Sequence, residues 1–239
     1  MQLSAYAYTN RGGRDHNEDS LRASAEQGIF VLADGLGGHR CGEVASQAAV
    51  DAIFTGMAQA EALEEASLLD LFRSANKELL RRQAQPGQEE MRTTAVALKL
   101  AGSTAVWAHI GDSRLYRFSN GELAGVTADH SVTYRKFLGG EISYMDVYHD
   151  DDRSRLLRVL GKEPCRPEAG QAAVSPGDAF LLCSDGFWEF VYNEEIQADL
   201  CRARTPEEWA EGMLLRHIRR TPPGSDNFSL ITVFVEACG

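Results

Sequence analysis

Carboxylates recur along this chain in short, glycine-bearing motifs, and their types restrict the chemistry they can serve. Arg14-Asp15-His16-Asn17-Glu18-Asp19 comes first, followed by Asp34-Gly35, Gly111-Asp112-Ser113-Arg114, Asp185-Gly186 and Ser225-Asp226-Asn227. Carboxylates gathered in a dry place repel one another strongly, so some must take up protons or hold a cation. Oxygen donors without Cys or His select Mg2+, Mn2+ or Ca2+ over zinc. The glycine beside Asp34 leaves its own carbonyl open as a further oxygen ligand. Taken singly, each motif is an ordinary turn former. Their joint occurrence, in order and at strand ends, points to one site that collects negative charge around something positive.

The elements that must position these groups are legible from periodicity. Two apolar runs end in Asp-Gly, one over Gly28 to Gly35 and one over Asp178 to Gly186. Each suits a strand buried on both faces, with Asp34 or Asp185 at its tip and a glycine that lets the backbone turn sharply. Leu3 to Thr9 reads as a strand followed by a turn at 10–13, and Leu36-Gly37-Gly38-His39 as a flexible loop. From Gly42, Val44/Ala45, Ala48/Ala49 and Ile53 recur at helical spacing. A second helix carries Leu68, Phe72, Ala75 and Leu79 and stops near Pro86-Gly87. Thr93 to Leu100 and Thr104 to Ile110 form a hairpin, as do Ser113 to Phe118 and Glu122 to Val126 around Asn120-Gly121. Residues 129–162 are polar and read as short helices in a surface flap, with Asp150-Asp151-Asp152 a solvated run. Ala172 to Val174 returns to sheet, and two helices follow the second Asp-Gly. The later one starts at Thr205-Pro206-Glu207-Glu208 as a capping box. Phe228 to Glu236 closes the chain as a strand.

Bulk properties narrow the classes. At 239 residues, 44% hydrophobic and 25% charged, the chain can bury a sizeable core, and no linker divides it, so residues 1–239 read as one domain. A net charge of −11 argues against a nucleic-acid backbone as partner. Five scattered cysteines with no CxxC pair read as reduced thiols. The N-terminal residues lack the pattern of a signal peptide and no apolar stretch approaches a membrane span, so a cytoplasmic location is expected. His109, inside an alternating strand, reads as a sheet or core residue.

The ordered set Arg14…Asn17-Glu18-Asp19, Asp34-Gly35-Leu36-Gly37-Gly38-His39…Gly42-Glu43…Ala45-Ser46, Thr93-Thr94-Ala95, Gly111-Asp112-Ser113-Arg114, Asp129-His130-Ser131, Leu160-Gly161, Ser184-Asp185-Gly186 and Asp226-Asn227 closely resembles the bacterial PP2C-type (PPM) metal-dependent serine/threonine phosphatases, over about residues 6 to 236. The resemblance implies an α+β fold, an α/β/β/α sandwich of two central antiparallel sheets flanked by helix pairs. It implies two Mn2+ or Mg2+ ions and a third, weaker one. Asp34 would bridge two metals, Asp185 and Asp226 would serve the first, and Glu18 with the Gly35 carbonyl the second. Asp112 would help Asp185 hold the third, Asp19 would orient the attacking water, and Arg14 would grip the substrate phosphate, to which its fork of donors is matched.

Two positions depart from the family pattern. Leu36 stands where eukaryotic relatives carry a histidine, which leaves the general acid unassigned, and Arg92 stands where a glycine usually precedes the Thr-Thr pair. The variable flap at about 129–162 is expected to govern substrate choice. The implied function is hydrolysis of phosphoserine and phosphothreonine on proteins by a monomer that opposes a bacterial Ser/Thr kinase, with type VI secretion control as one setting. A catalytically silent binding module and a hydrolase of small phosphate esters are the competing readings. Loss of metal ligands would favour the first, and none is lost here.

Overall fold

The computed structural model describes residues 2–37, 41–60 and 64–236. Its strands are β1 (Gln2–Asn10), β2 (Asp19–Ser24), β3 (Ile29–Leu36), β4 (Arg92–Thr93), β5 (Ala95–Ala101), β6 (Thr104–Ile110), β7 (Arg114–Ser119), β8 (Glu122–Val126), β9 (Glu168–Ala173), β10 (Ala179–Cys183) and β11 (Phe228–Glu236). Its helices are α1 (Cys41–Gln59), α2 (Glu65–Arg82), α3 (Val132–Leu138), α4 (Asp185–Trp188), α5 (Asn193–Leu200) and α6 (Pro206–Arg220). One sheet has the order β1-β11-β10-β7-β8; the other runs β2-β3-β5-β6-β9, with β4 pairing β3. Every strand pair is antiparallel.

Three apolar layers hold these parts together. Phe30, Leu32, Val96 and Leu98 meet Phe180, Leu182, Ile231 and Val233 between the sheets. Ile29, Val31 and Ala33 face the other way, toward Ala49, Ile53, Phe72 and Leu79 of α1 and α2. Leu181, Cys183 and Leu230 pack against Trp188, Ile196, Trp209 and Met213 of α4 to α6. The β3 run Ile29 to Ala33 therefore has no exposed residue because alternate side chains enter two different layers. Truncating Leu32 to Ala would cost about 2–5 kcal/mol, the usual range for a packed leucine.

Several expectations hold and several need correcting. Asn120 and Gly121 both take positive φ, as the primed hairpin turn requires. β2 has no counterpart in the sequence reading, because Asp-Ser-Leu-Arg-Ala-Ser carries little apolar alternation. The second Asp-Gly does not end a strand: β10 stops at Cys183, and Asp185-Gly186 opens α4. Neither Gly35 nor Gly186 has positive φ, so neither serves a sharp turn. On α1 the expected apolar face includes Val44, which is exposed. β9 spans Glu168–Ala173, leaving Val174 beyond it. At α6 Thr205 accepts from the Glu208 N–H, but Glu208 accepts from the Arg204 N–H, one residue ahead of the cap, so the capping box is incomplete.

Residues 129–162 contain α3 and a single 3-10 turn at Met145–Tyr148. Tyr134, Phe137, Tyr144 and Tyr148 stack edge to face along this segment, a small apolar ladder inside a polar composition. Asp150 and Asp152 are bound to Lys136 and are not freely solvated. Cys41, Cys165, Cys183 and Cys201 are free thiols; Cys238 lies outside the described residues. Among the described residues no helix is long and apolar enough to cross a membrane.

Candidate active site

The antiparallel pairing of β2 with β3 sets Asp19 directly across from Asp34. The Asp34 backbone is pinned on its other side: its N–H donates to Thr94 Oγ1 (3.0 Å) and its carbonyl accepts from the Thr94 N–H (2.9 Å) and Thr93 Oγ1 (2.7 Å). Thr94 Oγ1 in turn lies 2.7 Å from Ser113 Oγ, which ties the Thr-Thr pair to the Gly-Asp-Ser-Arg motif. Gly35 is needed because a Cβ there would stand 2.2 Å from the Gly42 carbonyl oxygen and 2.7 Å from that of Glu18. Glu18, β3 and the start of α1 can meet only across a residue without a side chain.

The second Asp-Gly is built differently. Ser184, just past the end of β10, donates from Oγ to Asp19 Oδ2 (2.8 Å), while Asp185 is the first residue of α4. A Cβ on Gly186 would stand 2.1 Å from the Asn227 carbonyl oxygen, so this glycine brings α4 against the loop before β11. Asn227 is a clamp: its Oδ1 accepts from the Glu18 N–H (2.7 Å), and its Nδ2 donates to the carbonyls of Arg11 and His16. Asp226 beside it accepts from Arg14 Nη2 (2.9 Å). Asp112 is only 2% exposed, and its carbonyl accepts from the Trp188 indole N–H (2.9 Å). Arg114 lies over that same indole at 3.5 Å and forms a buried two-bond pair with Asp129.

Arg14, Glu18, Asp34, Gly35, Asp112, Asp185 and Asp226 thus line one cleft of about 760 Å³, bordered by Ser154 and Leu156 of the 129–162 segment. Asp19 stands behind its wall, 7% exposed. His16 is at the rim, and His39 lies outside the described residues. Leu36 lines the cleft and pairs across the sheet with Arg92, so the two departures from the family pattern are register partners.

Crowding dominates the electrostatics. Burial, then the charges of Asp185, Asp19 and Asp112, raise the Asp34 carboxyl well above the usual carboxylate range, and Asp34 and Asp185 lie within hydrogen-bonding reach. Burial and Asp185 raise Asp112 likewise, and burial and Asp226 raise both Asp185 and Glu18. Asp19 is pushed up to about 7, chiefly by burial, against the pull of its serine hydrogen bonds. Asp19 Oδ1 and Asp112 Oδ1 are buried with no hydrogen-bond donor among the described residues. An all-oxygen donor set with excess negative charge and orphaned carboxylate atoms fits divalent hard cations.

A second group of metal-ligand types, His109, His130 and Glu168, does not share that fit. The imidazoles are stacked, with centroids 4.6 Å apart and planes 17° from parallel, so their in-plane lone pairs run side by side. Glu168 is already paired with Arg158, and His109 bonds the Ala128 carbonyl. His109 is the core residue its strand pattern predicts. Sequence reasoning assigned no role to Asn227, Ser184 and Ser46, which donates to the Glu18 carbonyl. All three stand in the motif set that resembles the family, which was the signal available for them.

Comparison with known proteins gives the geometry its context. The family model described as Protein phosphatase 2C matches residues 9–214. The serine/threonine phosphatase stp of Listeria monocytogenes is 34% identical over 236 residues, covering 94% of this chain and 93% of its own. The catalytic domain of the serine/threonine protein phosphatase PstP, solved in complex with two manganese ions, superimposes with a TM-score of 0.87 at 30% identity, over 98% of this chain and 99% of that one. PppA of Pseudomonas aeruginosa, described as a key regulatory component of the type VI secretion system, gives a TM-score of 0.82 at 27% identity over 98% of each chain. The chain belongs to the protein phosphatase 2C family and is a serine/threonine phosphatase.

Proposed function

We propose that the cleft holds two divalent cations, Mn2+ or Mg2+, with a weaker third, and hydrolyses phosphoserine and phosphothreonine on proteins. The observation that carries this reading is the meeting of Glu18, Asp34, Asp112, Asp185 and Asp226 on one cleft, with a buried oxygen of Asp112 that has no donor among the described residues. The manganese pair in the PstP domain supports it. When bound, such cations acidify a water and neutralise phosphoryl oxygens. Asp34 would bridge them, Asp185 and Asp226 would serve one, Glu18 and the Gly35 carbonyl the other, and Asp112 with Asp185 the third. Asp19 would orient the attacking water, its own carboxylate steadied by Ser184. Arg14, held by Asp226 through one nitrogen, keeps its remaining N–H groups for the substrate phosphate. Leu36 has no proton to offer, so the leaving-group oxygen must be protonated from elsewhere.

The proposal treats residues 1–239 as one catalytic domain, with 129–162 as a flap over the cleft and the protein acting as a monomer in the cytoplasm. It includes a partner Ser/Thr kinase whose products the enzyme reverses. The likeness to PppA supports type VI secretion control as one setting, and phosphoproteomics of a deletion strain would name the substrates. The test of the chemistry is direct: the purified protein should hydrolyse an aryl phosphate and phosphopeptides with Mn2+ and lose both activities in EDTA. Activity that survives chelation overturns it. Turnover of metabolite esters without turnover of phosphopeptides would favour the small-ester reading.

A further inference from the structure

Beside the cleft lies a second hollow of about 370 Å³ that shares Arg14, Ser154, Asp185 and Asp226 with it. Its far side is formed by Arg153 of the 129–162 segment and by Phe190, Pro222 and Pro223. Arg153 is anchored by one edge only. Its Nε donates to Glu189 Oε1 at 2.9 Å and its Nη1 reaches the Asp150 carbonyl at 3.4 Å. Nη2 has no hydrogen-bond partner among the described residues, and the side chain is 39% exposed.

The charge balance decides what this hollow accepts. Three carboxylates border it, Asp185, Glu189 and Asp226. Glu189 is taken up by Arg153, and Asp226 by Arg14. Under the reading above, Asp185 and Asp226 also face the cations and Arg14 is engaged by the substrate phosphate, so the uncommitted group on the hollow is the free edge of the Arg153 guanidinium. Phe190, Pro222 and Pro223 add an apolar wall beside Arg153, and a hydrogen bond from its guanidinium to an anion is charge-assisted.

We infer that this hollow is a substrate subsite that receives an anionic side chain flanking the phosphorylated residue, with Arg153 as its specificity-determining contact. The inference rests on the phosphatase reading, because the hollow matters only if a phosphorylated residue occupies the adjoining cleft. An extended peptide advances roughly 3.3 Å per residue, so the flanking anion falls within a few positions of the phosphoresidue. A carboxylate and a second phosphate share the required chemistry.

The test uses the Mn2+-loaded full chain and phosphothreonine peptides in which Glu, phosphoserine, Ala or Lys is scanned through the flanking positions. At one or two positions Glu or phosphoserine should raise kcat/KM over Ala by about tenfold, the scale of one charge-assisted hydrogen bond, and Lys should lower it. Phosphoserine ahead of Glu assigns the hollow to a second phosphate; equal preference assigns it to acidic residues generally. Arg153→Ala should remove most of the Glu-to-Ala ratio. Pro223→Glu, on an exposed loop, should diminish the same ratio by placing a like charge in the hollow, and it serves if the arginine variant misfolds. Calorimetric binding of non-hydrolysable phosphonate peptides should give the same ranking without turnover. Equal rates for all flanking residues overturn the subsite, as does a preference that both variants retain. A failure to hydrolyse aryl phosphate with Mn2+ instead overturns the phosphatase reading and leaves the binding ranking to judge the subsite.

Discussion

The two Asp-Gly segments look like copies in the sequence and are different devices in the fold. In the first, Asp34 lies inside β3, fixed by strand pairing to Asp19 on one side and by Thr93 and Thr94 on the other. In the second, the strand has already ended, and Asp185 is held as the opening residue of α4. A strand residue is placed by its neighbours in the sheet, whereas a helix-start residue is placed by what the helix packs against. Here that is the indole of Trp188, buried in the outer layer and bonded to the Asp112 carbonyl. The glycines share one purpose in both places, the close approach of another backbone. They differ in what approaches: the start of α1 at Gly35 and the Asn227 loop at Gly186.

The largest effect separating or uniting the segments should come from the carboxylates. Asp34→Asn and Asp185→Asn should each lower kcat/KM for aryl phosphate by about 10³-fold or more, since each removes a charge that a cation would need. In EDTA both variants should melt no lower than the parent, because each relieves repulsion in a crowded cluster. A variant that keeps near-normal turnover would take its residue out of the site.

Next come the glycines. Gly35→Ala and Gly186→Ala should each destabilise by about 1–3 kcal/mol through overpacking, seen as a Tm lowered by about 2–4 °C per kcal/mol. Gly35→Ala should also weaken Mn2+ binding through Glu18, and Gly186→Ala should loosen the 11–18 loop through Asn227, read by hydrogen exchange. Identical exchange patterns in the two variants would erase the distinction between the segments.

A pH dependence follows from Asp19. It keeps its proton up to about pH 7 in the folded chain and releases it near the ordinary 3.8 when unfolded. Between those values the folded state binds the extra proton, so its stabilising contribution is complete at low pH and is lost as pH rises through about 7. Asp34, Asp112, Asp185 and Glu18 shift in the same sense. Metal-free protein should therefore melt higher at about pH 5.5 than at about pH 8, and excess Mn2+ should shrink that difference. A metal-free Tm that rises over that range would contradict the crowding. The smallest effect is expected at Ser184, the hydroxyl by which the second segment touches the partner of the first. Ser184→Ala should cost about 1 kcal/mol and move Asp19 further upward, displacing the pH dependence without abolishing activity.

Much of this arrangement was legible in the residues. The continuous apolar run before Asp34 could only be a strand covered on both faces, and Asn120-Gly121 announced its hairpin. The helical spacing of Leu68, Phe72, Ala75 and Leu79 identified the buried stripe of α2, and all four are buried. The carboxylates were recognisable as a set from their order and their oxygen-only chemistry. Other features were not legible because nothing local specifies them. β2 exists because β3 supplies a partner for a weakly apolar segment. The order within residues 129–162 comes from aromatic rings spaced too irregularly to show a period. The capping-box pattern at Thr205 predicted that Glu208 accepts from the Thr205 N–H, and it accepts from the Arg204 N–H instead.

The sequence by itself determined the donor types and the apolar periods, because each depends only on neighbouring residues, while the sandwich of sheets and helices was implied by the family resemblance. Only the tertiary structure decided which donors meet. Asn227 reaches Glu18 across 209 positions and Ser184 reaches Asp19 across 165, and no local preference encodes such closures. They form because burying Phe30, Leu32, Phe180 and Ile231 between the sheets offsets the entropy of closing loops that long, and the polar ends of those strands are carried into one cleft with them.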